Sequence, residues 1–325
     1  MQAIVCRALQ GPDSLELLDL PVPEPGPCGV RIRVRAAGVN FADSLMLRGQ
    51  YQEKPSLPFT PGLELAGEIE AVGAGVRGLA PGQRVLAVVS HGAFAEQAVA
   101  HAEDVVPLPD GMDDVIAAGF AIAYGTAQGA LRWRADLLAG ETLVAHGAGG
   151  GVGLTAVECG KALGATVIAT ARGEEKLAMA RAHGADHALD SEEPDLKGRI
   201  RELTGGRGAD VIYDPVGGAV FEASLRSIAW EGRIVIVGFA SGSVPQIPAN
   251  LLLVKNASVL GFYWGSYRKH DPERLQDGFK ELFKWHREGR IGPYVSQTLP
   301  LAQAADAVRL LMERRSVGKV VVTVP

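Results

Sequence analysis

The rhythm of apolar and polar positions changes once along this chain. Up to about residue 110 the apolar runs are short and cut by glycine and proline: AIVCRAL, VRIRVRAAGV, ELAGEIEAVG, QRVLAVVS and FAEQAVA. In VRIRVR, Val30, Ile32 and Val34 alternate with arginines, the period of a strand with one wet face. Turn-rich stretches such as PVPEPGPCG and LAPGQR separate these runs, so the pattern predicts a small β domain. From Tyr124 to about Gly265 uninterrupted apolar strands alternate with helical stretches: ETLVAH, TVIAT, DHALD, DVIYDPVG, RIVIVGFA and SVLGFYWG, with EEKLAMARAHG and FEASLRSIAWEG among the helices. That alternation predicts a doubly wound parallel sheet. Helices are expected around Pro272–Glu288 and Leu301–Arg314. The last strand, Lys319–Val324, lies outside the α/β rhythm and is assigned back to the first domain.

The densest glycine cluster, VAHGAGGGVG at residues 144–153, lies between the apolar strand ETLVAH and a helix over Leu154–Leu163 that ends at Gly164. Strand, glycine turn, helix and the second strand TVIAT make the first unit of a dinucleotide-binding fold. Ala148, Gly150 and Gly153 stand at the fingerprint's three glycine positions, the first replaced by alanine. Gly147, Gly150 and Gly153 also read as GxxGxxG. In either register a helix opening at Gly151 and Val152 would hold an anionic pyrophosphate on its N–H groups and dipole.

At 325 residues the chain has room for two cores. Its 47% hydrophobic and 21% charged content is that of a globular enzyme. The net charge of −5 offers no electrostatic footprint for nucleic acid. Cys6, Cys28 and Cys159 are scattered, without CxxC spacing, which fits a reducing, cytoplasmic setting. The uncharged run Val115–Leu131 is too short and too polar for a membrane span, and the N-terminus has no signal-peptide core. A small-molecule partner is expected.

The second strand ends Thr170, Ala171, Arg172, Gly173, where an NAD site would place an acid to hold the ribose hydroxyls. Arg172 and Lys176 suit a 2′-phosphate instead, arginine through its fork. The reading is therefore NADPH over NADH.

Across nearly its whole length the chain resembles the medium-chain dehydrogenase/reductase superfamily, in its zinc-free quinone oxidoreductase branch, of zeta-crystallin type. AAGVNFADSLMLRGQY, PFTPGLELAGEIEAVG, AYGTA, HGAGGGVG, LGADHALD, YDPVGG, VGFASG and VGKVVV carry the likeness in order. The resemblance implies an α/β protein: a groES-like β domain from residues 1–123 and 266–325, a Rossmann NADPH-binding domain over 124–265, and an active site at their junction. Zinc-using relatives carry a cysteine around Val39 and Asn40 and a histidine in a GHE motif, which here reads Gly62, Leu63, Glu64; the four-cysteine lobe is missing too. No metal is therefore expected. Thr126, Gly238, Phe239, Ala240 and Lys319 match cofactor-lining positions, and Ser191 stands where relatives place a phosphate-clasping tyrosine.

Without a metal, the acceptor must be polarised by hydrogen-bond donors and protonated by a side chain or water. In the resemblance Asn40, Asp43 and Tyr51 serve as catalytic residues, Asn40 as amide donor, Asp43 as orienting group and Tyr51 as a phenolic proton source, while His91 and Trp264 join Tyr51 around the substrate. Quinone reduction is the first expectation. Reduction of an activated C=C bond in an enone, 2-alkenal, acrylate or enoyl thioester stays open, as does a non-catalytic, crystallin-like NADPH-binding role. The strand Ala257–Trp264 is expected to pair across a two-fold axis in a homodimer.

Overall fold

A computed structural model describes residues 1–325, which divide into two compact units: residues 1–122 with 293–325, and residues 123–292. Residues 1–122 supply β1 (Gln2–Cys6), β2 (Leu15–Asp19), β3 (Gly29–Val39), α1 (Phe41–Met46), β4 (Glu64–Val72), β5 (Arg84–Val88), β6 (Gln97–His101), β7 (Val105–Pro107) and α2 (Asp114–Ala118). The helix α3 (Ala121–Gly129) leads into β8 (Thr142–His146), α4 (Gly151–Ala162), β9 (Thr166–Ala171), α5 (Glu174–Ala182), β10 (His187–Asp190), α6 (Leu196–Leu203) and β11 (Ala209–Asp214). Then come α7 (Ala219–Ser227), β12 (Ile228–Ile236), α8 (Ala249–Lys255), β13 (Ser258–Gly261), α9 (Tyr267–His270) and α10 (Pro272–Arg287). The chain closes with β14 (Val295–Pro300), α11 (Ala304–Met312) and β15 (Lys319–Thr323). No helix is long and apolar enough to cross a membrane.

The first unit is built on a sheet of order β14-β15-β3-β4-β5-β7, with β6 also on β3 and a separate β1-β2 pair. The VRIRVR alternation is realised in β3, where Val30, Ile32 and Val34 are completely buried in the core. The closing strand does return: β15 runs antiparallel to β3, with Val320 opposite Val39, while β4 sets Glu64 opposite Gly38. These two registers decide what surrounds Asn40.

In the second unit the parallel strands are ordered β10-β9-β8-β11-β12-β13. In the order of their appearance that is 3-2-1-4-5-6, so the strand order reverses between β8 and β11, the switch point beyond whose carboxyl ends such sheets bind ligands. Val144, Ile168, Ile212 and Ile234 form the middle of its core with Phe221 and Leu225 of α7.

The sequence-based domain boundary needs correction. Residues 266–292, expected with the first domain, belong to the second unit. The reason is the apolar face of α10: Phe279 meets Trp264 edge-on, Gly278 leaves room for the Trp133 ring, and Glu281 accepts a hydrogen bond from Gln128 at 2.7 Å.

Candidate active-site residues

In the second unit, β8 is buried along its whole length and ends in a turn at Gly147, which takes φ +64°. The Ala148 N–H donates to Thr170 O of β9 and the Gly150 N–H to Gly147 O, both at 2.9 Å. The glycines that follow are required for different reasons. A Cβ on Gly153 would stand 2.1 Å from Gly147 O, so this glycine lets α4 close on the turn. One on Gly149 would meet the Lys176 stem at 2.5 Å, so Lys176 lies across the loop. A Cβ on Gly150 meets only Gly147 O, at an ordinary 3.6 Å. Nothing in the protein fills the space at Gly150, and Gly150 is also the N-cap of α4, with no side chain capping the helix. An uncapped twelve-residue helix behind an open glycine fits an anionic group on its amides.

Neighbouring loops of this unit gather at the same sheet edge. Asp214, ending β11, accepts from the Val216 and Gly217 N–H groups at 2.7 and 2.9 Å, and Ala240 N–H donates to Pro215 O at 3.0 Å. Gly238, Phe239 and Ala240 are thereby stitched to the turn after β11, with the Phe239 ring exposed. Thr126 is buried on α3. Arg172 and Ser191 come together at the ends of β9 and β10, where Ser191 N–H bonds Ala171 O at 2.9 Å. The sequence showed no carboxylate at the end of β9. The fold brings one there from the end of β10, because Glu192 pairs with Arg172 at 3.1 Å. Both side chains are exposed, so the pair is weak and exchangeable.

Trp264 departs from its expected place in a substrate pocket. It is buried in its own unit, wedged against Gly125, whose Cβ would lie 2.6 Å from the indole, and against Phe279. His146, read only as part of a strand, lies between Thr170 Oγ1 at 2.7 Å and Ser224 Oγ at 2.8 Å, and burial holds its pKa below the usual value.

In the first unit, Asn40 caps α1, and the Asp43 carboxylate reaches back to accept its backbone N–H at 2.7 Å, the return half of a capping box. The Asn40 side chain, expected to donate to an acceptor, is committed inside the unit. Its amide nitrogen donates to Glu64 Oε1 at 2.9 Å and to Gly38 O at 3.4 Å, and its oxygen accepts from Lys319 Nζ at 2.9 Å. Lys319, expected to touch the cofactor, is also turned inward: the ammonium donates to Glu64 Oε1 at 2.7 Å and Val39 O at 3.1 Å as well. Glu64 Oε2 accepts the Ile122 N–H at 2.8 Å. Gly38 is obligatory here, since a Cβ would fall 2.4 Å from Glu64 Oε1. Asp43 is completely buried, and desolvation pushes its pKa up to about 7 against the pull of the Asn40 amide and the Lys319 ammonium. Tyr51 is half-buried against the core of this unit, and His91 is exposed, edge-on to Phe59. The motif around Glu64 was read only for its missing histidine; the carboxylate beside it was the available signal. No group of three or more His, Cys, Asp or Glu side chains is arranged to hold a metal ion.

Comparisons with known proteins agree with this layout. Residues 26–110 match the family model for the alcohol dehydrogenase GroES-like domain, and residues 151–284 that for zinc-binding dehydrogenases. The quinone oxidoreductase of Pseudomonas aeruginosa is 40% identical over 97% of both chains. Quinone oxidoreductase-like protein 2 of Rattus norvegicus is 38% identical, covering 99% of this chain and 92% of its own. The structure of Escherichia coli quinone oxidoreductase complexed with NADPH superposes with a TM-score of 0.94 at 30% identity, over 99% of this chain and all of that one. The chain belongs to the quinone oxidoreductase family of the medium-chain dehydrogenases/reductases.

Proposed function

We propose that this protein is an NADPH-dependent oxidoreductase whose acceptor is a quinone. The observation that carries the nucleotide half is Gly150: it is open where its neighbours are packed, at the uncapped start of α4. NADPH supplies a hydride when bound. The α4 amides from Gly151 to Gly153 would hold its pyrophosphate, which the open Gly150 lets approach. Lys176 and Arg172 bind its 2′-phosphate, Arg172 exchanging Glu192 for it, with Ser191 alongside. Thr126, Gly238, Phe239 and Ala240 line the remainder. The related Escherichia coli enzyme, crystallised with NADPH, supports the choice of nucleotide.

On the acceptor side, the donors of Asn40 and Lys319 are spent on Glu64 and on the main chain. An acceptor that depends on strong polarisation is poorly served by such a cluster, whereas a quinone takes hydride with little acid catalysis. A second reading, reduction of an activated C=C bond, rests on Tyr51, whose phenol would protonate the α-carbon. A homodimer through β13 completes the proposal: this strand, shorter than the expected Ala257–Trp264, is the outermost of its sheet, and α8 just before it exposes Leu253 and Val254.

Fluorescence titration with NADPH and NADH, followed by addition of 1,4-benzoquinone and then an enone, tests this. Tight NADPH binding with quinone-driven oxidation supports the proposal; oxidation by the enone alone moves the protein to the alkene reductases. No binding of either nucleotide refutes it. Tyr51→Phe should leave quinone turnover nearly unchanged, while a selective loss with the enone marks Tyr51 as its proton donor.

A further inference from the structure

The cluster around Asn40 holds more than a catalytic amide. The Glu64 carboxylate receives Asn40, Lys319 and the Ile122 N–H together, and the Lys319 ammonium bridges Glu64, Asn40 and Val39. Both charged side chains are buried, at 0% and 8% exposure. Asp43, three residues after Asn40, is enclosed with them: Oδ2 accepts the Asn40 N–H. Ionising a completely buried carboxyl is costly, and the Asn40 and Gly62 main-chain amides with the Lys319 ammonium offset only part of that cost.

We propose that Glu64 and Lys319 are positioning residues of this site: the pair holds the Asn40 amide in one orientation and sets the balance of charge around the enclosed Asp43 carboxyl. The charged groups acting on Asp43 are Lys319 from β15, which favours the anion, and Glu64 from β4, which opposes it. Arg309 of α11, which packs on α1, pairs with both Asp306 and Asp13. Ionised Asp43 strengthens the cap on α1 and protonated Asp43 weakens it, so the charge pair controls how firmly the Asn40–Tyr51 stretch is held. As a statement about catalysis this rests on the function proposed above; as a statement about Asp43 it does not.

The test is an infrared titration of the protein without nucleotide or acceptor, following the carboxylic C=O band that Asp43→Asn removes. Wild type should titrate near pH 7. Removing the like charge in Glu64→Gln should lower the midpoint by about one unit, and removing the opposite charge in Lys319→Met should raise it by about one unit. The double variant should return towards wild type. Under turnover, the pH limb of kcat should move with the same signs at unchanged KM for NADPH. Coincident midpoints in all variants, or shifts of one sign in both single variants, overturn the proposal. If Glu64→Gln does not fold, the upward shift in Lys319→Met carries the same decision. Absence of NADPH-driven turnover would refute the proposed function, while the infrared titration would still decide the role of the pair.

Discussion

Replacing Gly150 and Gly153 separately by alanine divides ligand binding from folding. At Gly153 the new Cβ would lie 2.1 Å from Gly147 O and 2.4 Å from its carbonyl carbon, both main-chain atoms. Helix α4 must then move off the turn, and overpacking of this kind costs about 2 kcal/mol. At Gly150 the same methyl meets one atom at 3.6 Å, and φ −99°, ψ 171° suits alanine. Stability should therefore stay level or rise by up to about 1 kcal/mol, through reduced freedom of the unfolded chain. The methyl nevertheless occupies the space through which a pyrophosphate reaches the α4 amides. Losing one charge-assisted hydrogen bond there, about 1.5–3 kcal/mol, weakens NADPH binding by roughly 10- to 150-fold. Thermal denaturation without ligand and fluorescence titration with NADPH measure the two effects. Gly150→Ala binding NADPH as tightly as wild type, or melting as early as Gly153→Ala, would refute the assignment of that space to the nucleotide.

Lys176→Ala should weaken NADPH binding about tenfold and leave NADH nearly unchanged, whereas Glu192→Gln, which releases Arg172, should tighten NADPH; equal effects on both nucleotides would remove the 2′-phosphate from this corner. Asp43→Asn should flatten the pH dependence of stability. A carboxyl whose folded pKa is raised from 3.8 to about 7 contributes stability below pH 4 that is lost as pH rises towards 7, on the order of 4 kcal/mol in all. Chemical denaturation of both proteins at pH 4 and pH 8 checks the sign, and parallel curves would contradict it. Leu253→Glu with Val254→Glu should reduce the light-scattering mass from that of the proposed dimer to that of a monomer without loss of secondary structure. An unchanged mass would exclude α8 from the interface.

Local pattern in the sequence was enough for much of this protein. The run ETLVAH is apolar because β8 is buried on both faces, and the glycines after it mark a turn with positive φ at Gly147 and no room for a Cβ at Gly153; both are properties of neighbouring residues. The alternation in VRIRVR likewise declared β3. Partnership across the chain was not legible. Lys319 and Glu64 are 255 residues apart, and only the registers of β15 and β4 on β3 bring them to Asn40. Thus tertiary structure, and not the motif, decided that the Asn40 amide and the Lys319 ammonium are spent internally. The same holds for Glu192 at Arg172 and for Trp264, whose aromatic partner comes from a helix the sequence had assigned to the other domain. A chain segment carries its own period and turn chemistry, but the electrostatic environment of a side chain belongs to whatever the fold places beside it.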